Sequence, residues 1–192
     1  MVNLEGRSEE RKGAVTNWYV ITGAPCSGKT SVIHELARRG YSVVHEVARA
    51  YIEAKLAAGL SLDQIRGDAL GFERRLLEEK VAIEKKLGTR DTIFFDRAIP
   101  DSIAYFQLSG FDPSEPVALS GQKRYRKIFL LERLPARKDT VRKENDRTAS
   151  TIEKLLINCY RDLGYPLIRI PVSTPSGRAD AILKYSEQPL FF

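Results

Sequence analysis

No run of apolar residues in this chain approaches the ~20 that a membrane-spanning helix needs, and the first twelve residues, Met-Val-Asn-Leu-Glu-Gly-Arg-Ser-Glu-Glu-Arg-Lys, hold no apolar core of the kind a secretory signal carries. Cysteine is nearly missing. Cys26 and Cys159 are the whole supply, too far apart in sequence for a Cys-x-x-Cys pair and too few for a disulfide scaffold. These absences set the expectation of a cytoplasmic protein with no membrane partner. Histidine is as scarce: His34-Glu35 and His45-Glu46 each lack a second histidine three residues on, which excludes the helical zinc-hydrolase pattern. No internal repeat and no domain linker interrupts the chain. The reading is a leader at 1–15 expected to be disordered, one domain at 16–186, and a short tail at 187–192.

The chain does have charge, and the charge is local. Of 192 residues, 31 are Lys or Arg and 25 are Asp or Glu, a net of +6. Between Gln122 and Arg147 stand ten basic and four acidic residues, so the remainder carries 21 of each and sums to zero. A basic face spread over the molecule would suggest nucleic acid. One basic segment with little aromatic interleaving argues instead for an anion-gripping lid, expected at about 132–147.

The anion is indicated by Gly23-Ala24-Pro25-Cys26-Ser27-Gly28-Lys29-Thr30-Ser31, which follows the apolar run Trp18-Tyr-Val-Ile-Thr22 and precedes a helical stripe of Val32, Ile33, Leu36 and Ala37. Gly-x-x-x-x-Gly-Lys-Thr in a strand-to-helix turn is a phosphate cradle: loop amides and the helix N-terminus surround a polyphosphate, Lys29 reaches its outer phosphates, and the Thr30 hydroxyl ligates Mg²⁺. Chance would supply the pattern in a chain this long with a probability on the order of 1%. No Asn-Lys-x-Asp follows a strand, so guanine specificity has no support in the sequence. Leu119-Ser-Gly-Gln122 looks like the signature of transporter ATPases but lacks the second glycine and lies just before a strand.

Further strands are expected at 41–45, 91–95, 127–131 and 166–170. Helices are expected at about 46–58, 61–87, 101–108, 149–163 and 176–185. Gly67 and Gly71 weaken the first half of the long helix, at about 1 kcal/mol each relative to alanine. Alternating strands and helices imply right-handed crossovers and a parallel sheet covered on both faces, with ligands at the carboxyl ends of its strands. Those ends carry the phosphate loop, His45-Glu46-Val-Ala-Arg49, Asp96-Arg97 and the basic segment. Asp96 is placed to hold Mg²⁺, directly or through water, or to orient an acceptor hydroxyl. Arg97 is placed to grip an acceptor or the transferring phosphoryl, or to form a surface ion pair.

Asp96-Arg97-Ala-Ile-Pro-Asp101-Ser102-Ile-Ala104-Tyr105 resembles the strand-three motif of thymidylate and deoxynucleoside kinases. Where thymidylate kinases carry Arg-Glu-Pro-Gly after strand two, this chain has His45-Glu46-Val-Ala-Arg49. The fuller resemblance, over residues 19 to 184, is to the small P-loop kinase-like ATPases grouped with the nicotinamide riboside kinase domains of NAD-biosynthesis regulators. It implies a three-layer α/β fold, a five-stranded parallel sheet of order 2-3-1-4-5, and phosphoryl transfer from ATP with Mg²⁺. It also implies that Glu46 is a general base or a ligand of the acceptor hydroxyl, and that Arg49 and Arg74 are anion ligands at the acceptor. The plain alternatives are a Glu46–Arg49 pair at a helix start and a solvated helix face for Arg74. In the basic segment Arg142, Arg147 and Arg137 are the candidates to meet the nucleotide as the lid closes. The expected activity is transfer of the ATP γ-phosphoryl to a small acceptor such as a nucleoside, a nucleotide or a ribosylated base. The alternative is a regulatory nucleotide switch with no metabolite acceptor.

Overall fold

The computed structural model describes residues 13–134 and 142–189, with side chains from 147 onward in the second stretch. Apolar five-residue runs become buried strands, and amphipathic segments between them become the helices that cover them. In chain order the elements are β1 (Ala14–Val15), β2 (Trp18–Thr22), α1 (Lys29–Arg38), β3 (Ser42–Val44), α2 (Val47–Ala57), α3 (Leu62–Arg66), α4 (Ala69–Lys86), β4 (Ile93–Asp96), α5 (Ile99–Leu108), α6 (Ser114–Ser120), β5 (Lys123–Arg124), β6 (Lys127–Leu131), α7 (Arg142–Asp162), β7 (Leu167–Ile170) and α8 (Pro175–Glu187). The main sheet has five parallel strands in the order β3-β4-β2-β6-β7. Counting those strands alone, this is the 2-3-1-4-5 order implied by the resemblance.

Both faces of the sheet are covered, which is why β2 and β6 read as unbroken apolar runs rather than alternating ones. Tyr19, Ile21, Phe94, Phe129 and Leu131 pack on one side against Val32, Ile33 and Leu36 of α1 and Ala179 and Ile182 of α8. Trp18, Val20, Ile93, Phe95 and Ile128 pack on the other against Tyr125, Tyr160 and Tyr165, and α5 and α7 close that layer through Ile103, Ile152 and Leu156. Among the described residues no helix is long and apolar enough to cross a membrane.

Four local expectations need correction. The long helix expected over 61–87 is two helices, because two start signals follow each other. Ser61 and Gln64 form a capping box that opens α3, and Asp68 accepts from the Gly71 amide to open α4. The leader expected to be disordered over 1–15 is ordered at its end: Ala14–Val15 pairs in parallel with Lys123–Arg124, a short strand pair the composition did not reveal. Residues 114–120, to which no element was assigned, form α6, with Pro116 and Ser120 buried. The helix expected from 149 begins at Arg142, so the last part of the proposed lid is the start of α7. Residues 1–12 of the leader, 135–141 of the lid and 190–192 of the tail lie outside the described residues.

Candidate functional site

β2 leaves the sheet at Thr22, and the chain turns through residues 23–28 into α1. Two glycines are required there. Gly23 has φ 145°, and a Cβ on it would stand 2.8 Å from the Leu131 carbonyl oxygen. Gly28, with φ 86°, is the left-handed residue immediately before α1. Cys26 holds φ 60° without being glycine, a strained conformation of the kind found in ligand clamps. Ala24 and Ser27 are buried, while Pro25, Cys26 and Ser31 are exposed. α1 starts with no acidic residue in its first turn and no side-chain cap, which leaves its first amides and its positive dipole end for an anion.

Lys29 is buried and folds over this loop, its Nζ donating to the carbonyls of Gly23 and Ala24 at 3.0 Å each and lying 3.3 Å from Ser27 Oγ. Burial, aided by repulsion from Arg97, lowers its pKa to about 8, against the attraction of Asp96, Glu46 and Asp101. β4 delivers Asp96 to the same edge. Thr30 Oγ1 donates to Asp96 Oδ2 across 3.4 Å, and Asp96 Oδ1 is buried with no hydrogen-bond partner. Burial lifts the Asp96 pKa to about 6, with Lys29 and Arg97 pulling the other way and Glu46 and Asp101 adding to it.

A hydroxyl beside a buried carboxylate with one unsatisfied oxygen is a donor set suited to a hard cation such as Mg²⁺. Among the described residues no cluster of three or more His, Cys, Asp or Glu surrounds a metal position. Thr30 and Asp96 alone would supply only part of a coordination shell, and Mg²⁺ commonly retains water and phosphate ligands.

Next along the edge, Arg97 is buried at φ 66°. Its Nε donates to Glu46 Oε1 at 3.0 Å, its Nη1 lies 3.5 Å from Asp101 Oδ1, and its guanidinium sits 5.3 Å from the centre of the Tyr105 ring. Asp101, which the sequence reading quoted without a role, holds this corner together. It also accepts from Thr22 Oγ1 and Tyr160 OH at 2.6 Å each and from the Ala98 amide at 2.9 Å. Lys80 of α4 donates to Ser102 Oγ at 2.8 Å, and burial lowers its pKa. Lys80 and Arg97 border a cavity of about 10 Å³ with Val44, Val47 and Phe95, space for one water.

The structure thus brings Gly23–Thr30, Asp96, Arg97 and Glu46 together and leaves other expected residues apart. Glu46 pairs with Arg97 rather than with Arg49. Arg49 is exposed and makes no hydrogen bond or ion pair among the described residues. Arg74 lies on the outer face of α4, 3.5 Å from Glu115, with both side chains more than half exposed. Arg147 is exposed on α7. Arg137 lies outside the described residues, as does the side chain of Arg142. The sequence reading missed Asp101, Thr22, Tyr160 and Lys80. Asp101 had a signal, a carboxylate three residues after Ala98 at a helix start.

A parallel sheet whose first long strand runs through a glycine-bounded loop into a helix, with a lysine and a threonine at the helix start and an aspartate on the neighbouring strand, defines a P-loop protein of the kinase-like type. The chain belongs to the AAA domain family, which matches residues 18–178. No curated protein matches the sequence. Among solved structures, NadR protein in complex with NR superposes with a TM-score of 0.63 at 17% identity, covering 95% of this chain and 54% of that one. Thymidylate kinase from Ehrlichia chaffeensis gives 0.63 at 14% identity, covering 92% and 100%. Deoxyadenosine kinase from M. mycoides gives 0.58 at 13%, covering 88% and 97%. The chain spans about half the length of the NadR protein. At these identities the likeness is one of fold.

Proposed function

We propose that the protein is an ATP-dependent phosphotransferase that moves the γ-phosphoryl to a hydroxyl or phosphate of a small acceptor, a nucleoside, a nucleotide or a ribosylated base. The observation that carries this reading is the meeting of Thr30 with the buried, half-satisfied Asp96, one residue from Lys29 and next to the Arg97–Glu46 pair. The loop amides and Lys29 would hold the donor phosphates, Lys29 leaving its carbonyl partners for phosphate oxygens of greater charge. Thr30 and Asp96 would hold Mg²⁺, which supplies charge neutralisation across the phosphates when bound. Glu46, fixed by Arg97, would orient an acceptor hydroxyl or take its proton. Arg97 is itself anchored by Asp101, so its charge is held in place ahead of any ligand. The kinase names of two of these structural neighbours support this class of chemistry and leave the acceptor open.

The test is transfer of labelled γ-phosphate from MgATP to a panel of nucleosides, nucleotides and ribosylated bases, with Lys29→Ala as the inactive control. Release of ADP with no labelled acceptor in any case would favour a second reading, a nucleotide-driven regulatory switch. One observation supports that alternative. The space beside Arg97 holds about one water, and Arg49 and Arg74 face solvent instead of lining a pocket. An acceptor seated beside Lys80 and Arg97 would have to widen this cavity.

A further inference from the structure

Arg178, in the first turn of α8, is 2% exposed, and its guanidinium reaches three separate segments of chain. Nη1 donates to the Ser27 carbonyl in the phosphate loop, Nη2 to the Glu132 carbonyl just past β6 at 2.7 Å, and Nε to the Pro171 carbonyl just past β7 at 3.0 Å. Burial lowers its pKa, opposed by Glu132. Gly28 lies beside it at φ 86°, a conformation a side chain would strain, and a Cβ there would make only ordinary contact with Arg178 Nη1 at 3.4 Å and Leu134 Cδ1 at 3.6 Å.

The peptide unit is planar and trans, so its C=O and N–H point opposite ways. Arg178 draws the Ser27 carbonyl to its own side, and the N–H of the same unit, that of Gly28, is turned to the other. We propose that Arg178 is the positioning residue of the phosphate loop. It fixes the Ser27–Gly28 peptide so that the Gly28 amide faces a bound phosphate, and it ties the loop to the chain at Glu132, just past β6. This rests on the loop being a nucleotide cradle. A lysine cannot replace it, because a single ammonium has no planar fork to span three carbonyls.

The experiment is calorimetric binding of MgATP and of magnesium tripolyphosphate to the wild type, Arg178→Gln and Arg178→Lys, each checked for folding by circular dichroism. The expected result is a loss of about ten- to a hundredfold in affinity for both probes in both variants, the range seen when a residue behind a ligating group is removed. Variants that lose thermal stability yet bind tripolyphosphate as the wild type does would overturn the assignment while leaving the nucleotide reading intact. A wild type that binds neither probe overturns both. Should the variants fail to fold, the wild type still decides: exchange of the Gly28 amide with solvent should slow at least tenfold on adding MgATP, and an unchanged rate refutes the proposal.

Discussion

The proposed donor side and the proposed acceptor side of this sheet edge are built differently. Residues 23–30 with Asp96 form a compact unit in which Ala24, Ser27, Lys29 and Asp96 are all buried, backed by α1 and α8. Across Arg97, α2 has no buried residue at all and α3 has only Ile65. A phosphate chain is recognised by backbone amides, so its site is set by loop geometry and can be rigid. An acceptor must be recognised by side chains, here on helices with little apolar anchorage, which are the parts of a fold that open at least cost. The contrast fits a proposed donor side that is largely preformed and a proposed acceptor side where the cavity by Lys80 and Arg97 is water-sized.

The largest expected effect lies on the donor side. Lys29→Ala should lower turnover by about a thousandfold or more, as loss of a charge aimed at a transferring phosphoryl does. Its melting temperature should hold or rise, since the lysine is a desolvated cation. Next comes Glu46→Gln, which keeps a hydrogen-bond acceptor for Arg97 and removes the charge. Turnover should fall about a hundredfold, the worth of a positioned acid–base group, with the Kd for MgATP unchanged within about twofold. If MgATP binding fell as far as turnover, the two sides would be one unit and the contrast would fail.

The donor side was legible in the sequence because it is local. Residues 23–31 state it in one stretch, and Asp96 ends an apolar run that can only be a strand. The strand order was also legible, through the alternation of strand and helix and the family resemblance. What could not be read depends on packing between distant segments. Asp101 meets Thr22 and Tyr160, 79 and 59 residues away, and Arg178 meets Ser27 across 151. Arg74's acceptor role came from the family resemblance, but only the rotation of α4 decides which way the side chain faces, and it faces Glu115 and solvent. The split of the 61–87 helix, by contrast, was written in Ser61, Gln64 and Asp68 and lost beneath the apolar stripe that runs across them.

A smaller effect tests whether the donor unit is strained by its own charge. The Asp96 pKa, about 6 in the folded chain against 3.8 as the ordinary value, is raised, so the native state holds this proton more readily than the unfolded chain. Its contribution to stability is therefore fully present below about pH 4 and is lost as pH rises through 6. Asp96→Asn should be more stable than the wild type at pH 7 to 8, by about 1–3 kcal/mol, and should show no gain at pH 4. Denaturation at the two pH values checks this. An equal change at both would place the cost of Asp96 in packing rather than in charge, and a donor unit without charge strain would stand closer to the acceptor side than the geometry indicates.

The smallest expected effect falls on the acceptor side's outer face. Arg74 and Glu115 form a solvent-exposed pair at 3.5 Å, and such pairs are worth about 0–1 kcal/mol. Arg74→Ala should change stability by no more than that and the acceptor KM by less than twofold, with kcat unaltered. The result carries weight because a nearly silent substitution is informative only where the alternative is large. If the acceptor helices close over substrate and swing Arg74 inward, the lost charge-assisted contact would raise KM by about tenfold or more. Measuring acceptor KM in this variant therefore separates an acceptor side that binds with its present faces from one that must rotate α4 to complete its site.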